Sequence, residues 1–279
     1  VIVNTGANAD AGIDGSLDIC DNLLAVDLFD ELGGTPDIGG VWTPALVSGT
    51  GIFDPSVDNG GQYTYTVSAT SPCLDATAVI DVTIFTAPNV IENITQVSCN
   101  GAGDAAVDLD ITPSAGNTVV WTLPTMNTVT QEDIGPVSDG DFSYVVTSAD
   151  GCTASNTIIL NQPLLIGIVL SITPQTCPGS CDGEIVATST NGVGTVSYSV
   201  IGGVPNTGTF SNLCDGNITI TATDANTCSV STNTTMTAAN PLSEPTISPV
   251  NNICLNSGVV NLSADIPGGL WTGFGIVDG

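Results

Sequence analysis

Apolar residues recur at every second position in short runs along most of this chain. Tyr63, Tyr65 and Val67 form one run, Phe142, Tyr144 and Val146 a second, and Ile218, Ile220 and Ala222 a third. A two-residue period buries one face of an extended segment and leaves the other in water. Val107, Leu109 and Ile111 alternate in the same way, and Ile185 and Ala187 take the matching places later in the chain. A glycine stands just ahead of each of the first three runs, at Gly61, Gly140 and Gly216, and marks the turn that feeds the strand. Helical signals are nearly absent, and only LLAVDLFDEL, residues 23–32, could form a helical turn. Thr, Val and Ile dominate between punctuating Gly and Pro residues, so the pattern predicts short antiparallel strands in β-sandwiches.

The strand pattern keeps register with the cysteines, which stand at Cys20, Cys73, Cys99, Cys152, Cys177, Cys181, Cys214, Cys228 and Cys254. With Cys181 and Cys214 set aside, the first cysteine of each repeat recurs after 79, 78 and 77 residues. The second follows the first by 53, 53 and 51 residues, and the fourth repeat stops before its second cysteine. Internal periodicity of this kind signals tandem modules. Pro88, Pro163 and Pro241 stand at the boundaries and leave short linkers. The expected domains are 1–87, 88–162, 163–240 and a truncated 241–279, stacked as a semi-rigid, elongated array. The first and fourth share GGVWT (39–43) and GGLWT (268–272); the second and third share CNGAGD (99–104) and CPGSCD (177–182). The order is therefore A-B-B-A.

Composition narrows the chemistry. The 279 residues carry 28 acids and no Lys, Arg or His, for a net charge of −28. Counterion release on nucleic acid and attraction to anionic lipid both need cationic side chains, so neither partner is expected. His-based nucleophilic catalysis, Schiff-base chemistry and a P-loop lysine are equally out of reach. Carboxylate-only glycoside hydrolysis is the remaining enzymatic alternative, and the expectation is that the chain is not an enzyme. The longest apolar run, Leu164 to Leu170, is interrupted by Gly167 and is far too short to span a bilayer. No signal peptide is visible and the chain starts without Met, so it reads as an internal piece of something longer.

Residues 89–240 resemble the SprB-type repeats of Bacteroidetes surface proteins. VSCNGAGDAAVDLDI (97–111), SADGC (148–152) and LCDGNITITATDANTC (213–228) carry the likeness. Thr227 departs from the glycine that usually precedes the last cysteine. GGVWTPALVSGTGIFDP and GGQYTYTVSATSPC resemble immunoglobulin-like modules of the same giant adhesins. The resemblance implies an all-β array of tandem immunoglobulin-like sandwiches in a long adhesin. Such an adhesin is exported to the bacterial cell surface by type IX secretion and serves adhesion and gliding motility. Neighbouring repeats of the same chain are the expected partners, with surface polysaccharide and outer-membrane motility or secretion proteins beyond them.

Four groups of residues are candidates for a site. Cys177, Cys181, Cys214 and Cys228 could supply a four-thiolate zinc site or redox pair. Cys99 and Cys152, however, exist as a pair in a repeat that has no extra cysteines. That favours Cys20–Cys73, Cys99–Cys152 and Cys177–Cys228 as structural disulfides, with Cys181–Cys214 as an added one. Asp10, Asp14 and Asp18 recur every fourth residue and are weak calcium candidates, since hard oxygen ligands suit that ion; a turn entering the first strand is the plainer reading. Trp42, Trp121 and Trp271 could be sugar-stacking platforms, but their fixed place in the repeat favours the core. A glycan- or protein-binding module is the alternative function.

Overall fold

The computed structural model describes residues 8–49, 51–201, 203, 205–239, 245–250, 258–265 and 269–272. The chain forms two compact units, Val1–Pro163 and Leu164–Gly279. The first unit holds two sandwiches, and the second holds one together with the residues that follow it.

The first sandwich comprises β1 (Gly15–Cys20), β2 (Val26–Asp27), β3 (Val41–Thr43), β4 (Ile52–Phe53), β5 (Gly61–Val67) and β6 (Ala76–Phe85). Its main sheet has the order β1-β6-β5-β3, with β1 parallel to β6 and the other pairs antiparallel. The facing sheet is only β2-β4. Tyr63, Tyr65 and Val67 from β5 meet Ala78, Ile80 and Val82 from β6 in the core, as their alternation requires. LLAVDLFDEL gives a single 3-10 turn over Leu28–Glu31. Asp27 caps that turn by accepting from the Phe29 amide (3.0 Å), and Leu28 is fully buried beneath it.

The second sandwich comprises β7 (Asn89–Thr95), β8 (Ala105–Thr112), β9 (Thr118–Thr122), β10 (Thr128–Val129), β11 (Ile134–Val137), β12 (Gly140–Thr147) and β13 (Thr153–Leu160). Sheets ordered β11-β8-β7 and β10-β9-β12-β13 face one another across Trp121, Phe142, Tyr144, Leu109 and Leu160. This is the seven-strand arrangement of an immunoglobulin-type sandwich. The third comprises β14 (Gly167–Thr173), β15 (Gly183–Thr190), β16 (Ser197–Val200), β17 (Thr209–Leu213), β18 (Gly216–Thr223) and β19 (Ser229–Met236). Its sheets are β14-β15-β17 and β16-β18-β19, closed over Ile185, Tyr198, Phe210, Ile220 and Met236. Beyond it, Ile247 and Ala264 form an isolated antiparallel bridge. Cys254 and Gly268 lie outside the described residues.

Strand direction decides where the two cysteines of each repeat sit. In the second sandwich Cys99 lies in the turn after β7, and that turn rests on the residues that follow β13. Val97 donates to the Asn161 carbonyl (3.3 Å), Asn100 Nδ2 to the Pro163 carbonyl (3.0 Å) and the Gly101 amide to Gln162 Oε1 (2.6 Å). Cys152 immediately precedes β13, at the other end of that eight-residue strand, which is about 26 Å at ~3.3 Å per residue. The first sandwich is alike: Cys20 pairs with Phe85 at the far end of β6, while Cys73 precedes its start at Ala76. In the third, Gln175 bridges to Ala238 beyond β19, and Cys228 immediately precedes that strand. The first cysteine of each repeat thus stands at the downstream end of its sandwich and the second at the upstream end.

Candidate functional site

The most distinctive chemistry lies where the first sandwich meets the second. Cys20, closing β1, is disulfide-bonded to Cys152 in the hairpin between β12 and β13 (Cα–Cα 5.7 Å), across 132 residues of sequence. Around that bond the Asp21 amide donates to the Phe85 carbonyl and the Ala87 amide to Asp21 Oδ1, both at 2.9 Å, so the linker leaving β6 is tied down. Asn22 Nδ2 reaches across to the Thr153 carbonyl (2.9 Å). The hairpin keeps its shape because the Cys152 amide donates to Ser148 Oγ (3.1 Å) and Gly151 takes a left-handed φ of 87°.

The pairing differs from the one expected. Cys20–Cys73 and Cys99–Cys152 do not form, because Cys152 is bonded to Cys20 and Cys73 is a free thiol. Cys177–Cys228 does not form either: Cys177 is a free, exposed thiol, while Cys228 and Cys99 are each disulfide-bonded. The physical reason is strand length. Two cysteines at opposite ends of one sandwich stand about four to six times too far apart for a disulfide, whose Cα atoms are roughly 4.4–6.8 Å apart. Cys181 and Cys214 are bonded to one another within the third sandwich. With Cys181, Cys214 and Cys228 oxidised, four thiolates for zinc are not assembled there.

The shared C-x-G-x-x-D motif has a structural role that its spacing did not disclose. Asp104 accepts from the Ser98 amide (2.9 Å) and the Ser98 hydroxyl (2.5 Å). Asp182 accepts from the Thr176 amide (2.9 Å) and hydroxyl (2.7 Å), and also from Ser180 Oγ. Each aspartate closes the loop that presents the downstream cysteine. Hydrogen bonds from Ser98 hold the Asp104 carboxyl below its ordinary value, and those from Ser180 and Thr176 hold Asp182 down to about 2.

Other acids serve as backbone anchors. Asp58 is buried and accepts from the Val47 (2.6 Å) and Asp54 (2.9 Å) amides and from the Ser48 hydroxyl (2.5 Å). Burial disfavours its charge, yet these donors together keep its pKa below the ordinary carboxylate value. Asp224, also buried, accepts from the Val193 (2.9 Å), Asn226 (2.9 Å) and Cys228 (3.0 Å) amides. Neither residue stands out in the sequence; an Asp four positions before Cys228 in a turn is the only hint.

The calcium candidates do not converge. Asp10 accepts from the Gly12 amide (2.8 Å), Asp14 from the Val79 amide (2.8 Å), and Asp18 is exposed on β1. Among the described residues no group of three or more acid or cysteine side chains is placed to hold a metal ion.

The tryptophans divide. Trp121 is fully buried, donates from its indole nitrogen to the Glu132 carbonyl (3.2 Å) and meets Tyr144 edge-on at 5.2 Å. Trp42 is half-buried and helps to floor a cleft of about 590 Å3 with Phe29 and Tyr65, rimmed by Asp27 and four glycines. The same place in the repeat gives different exposure because the two-stranded β2-β4 sheet leaves Trp42 partly uncovered. Trp271 is half-buried.

These features define a class: tandem immunoglobulin-like sandwiches joined by a covalent bond between successive modules. No family model matches the sequence, and no curated protein matches it. Among solved structures the chain is similar to the N-terminal eight Ig domains of Down Syndrome Cell Adhesion Molecule. Identity there is 14% and TM-score 0.43, over 84% of this chain and 36% of that one. It is also similar to titin domains I67–I69 (13%, TM-score 0.31, 84% of this chain and all of that one). A third is the mouse nectin-like molecule 4 ectodomain (9%, TM-score 0.34, 82% of this chain and all of that one).

Proposed function

We propose that this chain is a non-enzymatic stalk segment of a large secreted adhesin or filament of the SprB type, acting in adhesion and gliding at the bacterial surface. The observation that carries the reading is the Cys20–Cys152 bond between successive sandwiches. End-to-end force cannot draw out the residues between those cysteines while the bond holds. At ~3.5 Å per extended residue the shielded length is roughly 450 Å. A load-bearing stalk is the setting in which such a brace matters. The charge of −28 keeps neighbouring filaments apart, and the lack of Lys and Arg leaves trypsin-like proteases no cleavage site.

Antibodies raised against residues 1–279 should label fibres projecting from intact cells, and excising repeats from the parent gene should shorten those fibres and weaken attachment. Label found only inside cells would overturn the reading. Pulled by its ends under oxidising conditions, the chain should fall short of full extension by at least about 450 Å and release the withheld length when reductant is added.

The Trp42 cleft favours a second reading, in which the first sandwich binds a glycan. Its aromatic floor and acidic rim suit a sugar ring, which stacks one face and hydrogen-bonds its edge. Glycan-array binding that survives Trp121→Phe and is lost with Trp42→Ala would support it; no binding by the native chain would remove it.

A further inference from the structure

We infer that Cys73 and Cys177 are open rungs of a disulfide ladder in which the downstream cysteine of each repeat bonds the upstream cysteine of the next. Cys73 is then the partner of a downstream cysteine in a preceding repeat, and Cys177 the partner of an upstream cysteine in a following one. The inference rests on the reading of the chain as part of a longer tandem array, and goes beyond it by assigning a bond to each thiol.

Three observations lead there. First, Cys20–Cys152 fixes the rule at a junction between two adjacent sandwiches. Second, the cysteines of each class sit in corresponding loops of their sandwiches. The carbonyls of Cys20, Cys99 and Cys177 each accept from the amide three residues on, of Leu23 (3.1 Å), Ala102 (3.0 Å) and Ser180 (3.1 Å). Cys73, Cys152 and Cys228 each lie in the turn ahead of the last strand: the Cys73 amide donates to the Thr70 carbonyl (3.0 Å), and Cys152 and Cys228 directly follow Gly151 and Thr227, whose amides donate to the Ser148 and Asp224 carbonyls (3.0 and 3.1 Å). Third, among the described residues the free thiols are those that the rule leaves unpaired within the chain. Cys73 heads the first repeat and is half-buried; Cys177 ends the third and is exposed. Cys99 and Cys228, a downstream and an upstream cysteine, are both disulfide-bonded. From the 132-residue span of Cys20–Cys152, the partner of Cys177 stands about 130 residues further on.

Each rung forms by thiol–disulfide exchange outside the cytoplasm. One cysteine thiolate attacks an oxidant protein's disulfide, giving a mixed disulfide and releasing one oxidant thiol. The second cysteine thiolate then attacks the first cysteine's sulfur in that mixed disulfide and expels the other. Two electrons and two protons pass from the cysteine pair to the oxidant, which ends as a dithiol.

The test is disulfide mapping of the intact parent protein. It is isolated under non-reducing conditions, alkylated, cleaved with a glutamyl or chymotryptic protease and analysed by mass spectrometry. Cys73 and Cys177 should each appear linked to a cysteine peptide of the adjoining repeat and carry no alkyl label. In parent protein carrying Cys73→Ser, the preceding repeat's cysteine should become fully alkylated. Alkylated Cys73 or Cys177 in the intact protein overturns the ladder, as does either one linked to a second copy of itself. A parent sequence without adjoining repeats overturns the stalk reading as well, and so separates the two failures. As a reference, residues 1–279 alone should label at Cys73 and Cys177 but not at Cys20 or Cys152.

Discussion

In the second sandwich the turn after β7 reads Cys-Asn-Gly-Ala-Gly-Asp, and Gly103 takes a φ of 63°. In the third the same turn reads Cys-Pro-Gly-Ser-Cys-Asp, and Cys181 stands where Gly103 does, with a φ of 53°. Two residues before the first cysteine the second sandwich buries Val97 and the third buries Gln175, whose Oε1 accepts from the Cys181 amide (3.0 Å). The third sandwich has thus placed a side chain in backbone that favours glycine, anchored it with a buried amide and tied it to Cys214. Among the described residues its buried apolar cluster has eight members against thirteen in the second, and no tryptophan. One topology is held in two ways, by an aromatic core in one repeat and by a local crosslink in the other. A smaller core gains most from a restricted unfolded chain.

The largest expected effect is in the aromatic core. Trp121→Ala should destabilise the second sandwich by about 4 kcal/mol, the usual cost of removing a fully buried tryptophan. Hydrogen exchange of the β9 and β12 amides would read it. A loss below about 1 kcal/mol would mean that the core does not hold this repeat.

Next comes the crosslink. Cys181→Ala with Cys214→Ala should cost the third sandwich about 4 kcal/mol, the chain-entropy value for a loop of 33 residues, with little effect on the second. Cys181→Gly with Cys214→Ala sharpens the comparison, because it restores the second repeat's residue at the left-handed position. It should be more stable than the alanine pair by about 1 kcal/mol in urea unfolding. Equal stabilities would show that the backbone at Cys181 carries no strain.

A third contrast lies in the hairpins ahead of the last strands. Gly151 has a φ of 87° and Thr227, in the matching place, has a φ of 67°. A β-branched residue in that region is strained. Thr227→Gly should therefore raise the midpoint of the third sandwich, by about 1 kcal/mol in stability. A neutral result would show that the Asp224 hydrogen bonds absorb the strain.

The comparison also shows where sequence reasoning stops. Alternation at Tyr63, Phe142 and Ile220 reveals the faces of strands, and the 78-residue register reveals which cysteines are equivalent. Neither says at which end of a sandwich a residue lies. That depends on strand direction, so the register points from Cys20 to Cys73 although its partner is Cys152. The register likewise assigned Trp42 and Trp121 one role, although the extent of the facing sheet determines exposure. Spacing of Asp10, Asp14 and Asp18 carried no information about convergence, because each is used at a different local position. CNGAGD and CPGSCD were visible as a shared motif, but the function of their aspartate depends on Ser98 and Thr176 ahead of it, which lie outside the motif.

The smallest effect separates the two motifs by one hydroxyl. Asp104 is held by Ser98, whereas Asp182 is held by Thr176 and, in addition, by Ser180, where the second repeat has Ala102. Both carboxyls lie below the ordinary value, Asp182 at about 2. A depressed folded-state pKa contributes stability that is complete above the unfolded value and lost as pH falls through the folded one. Both loops should thus hold at pH 5 and loosen on acidification, that of Asp182 near pH 2. Ser180→Ala should raise the Asp182 pKa above about 2 and move the loosening of its loop to higher pH, read by NMR titration of the carboxyl carbons. If Asp182 still titrates near 2 in that variant, Thr176 alone sets its value, and the Ser180 hydroxyl is not what distinguishes the repeats.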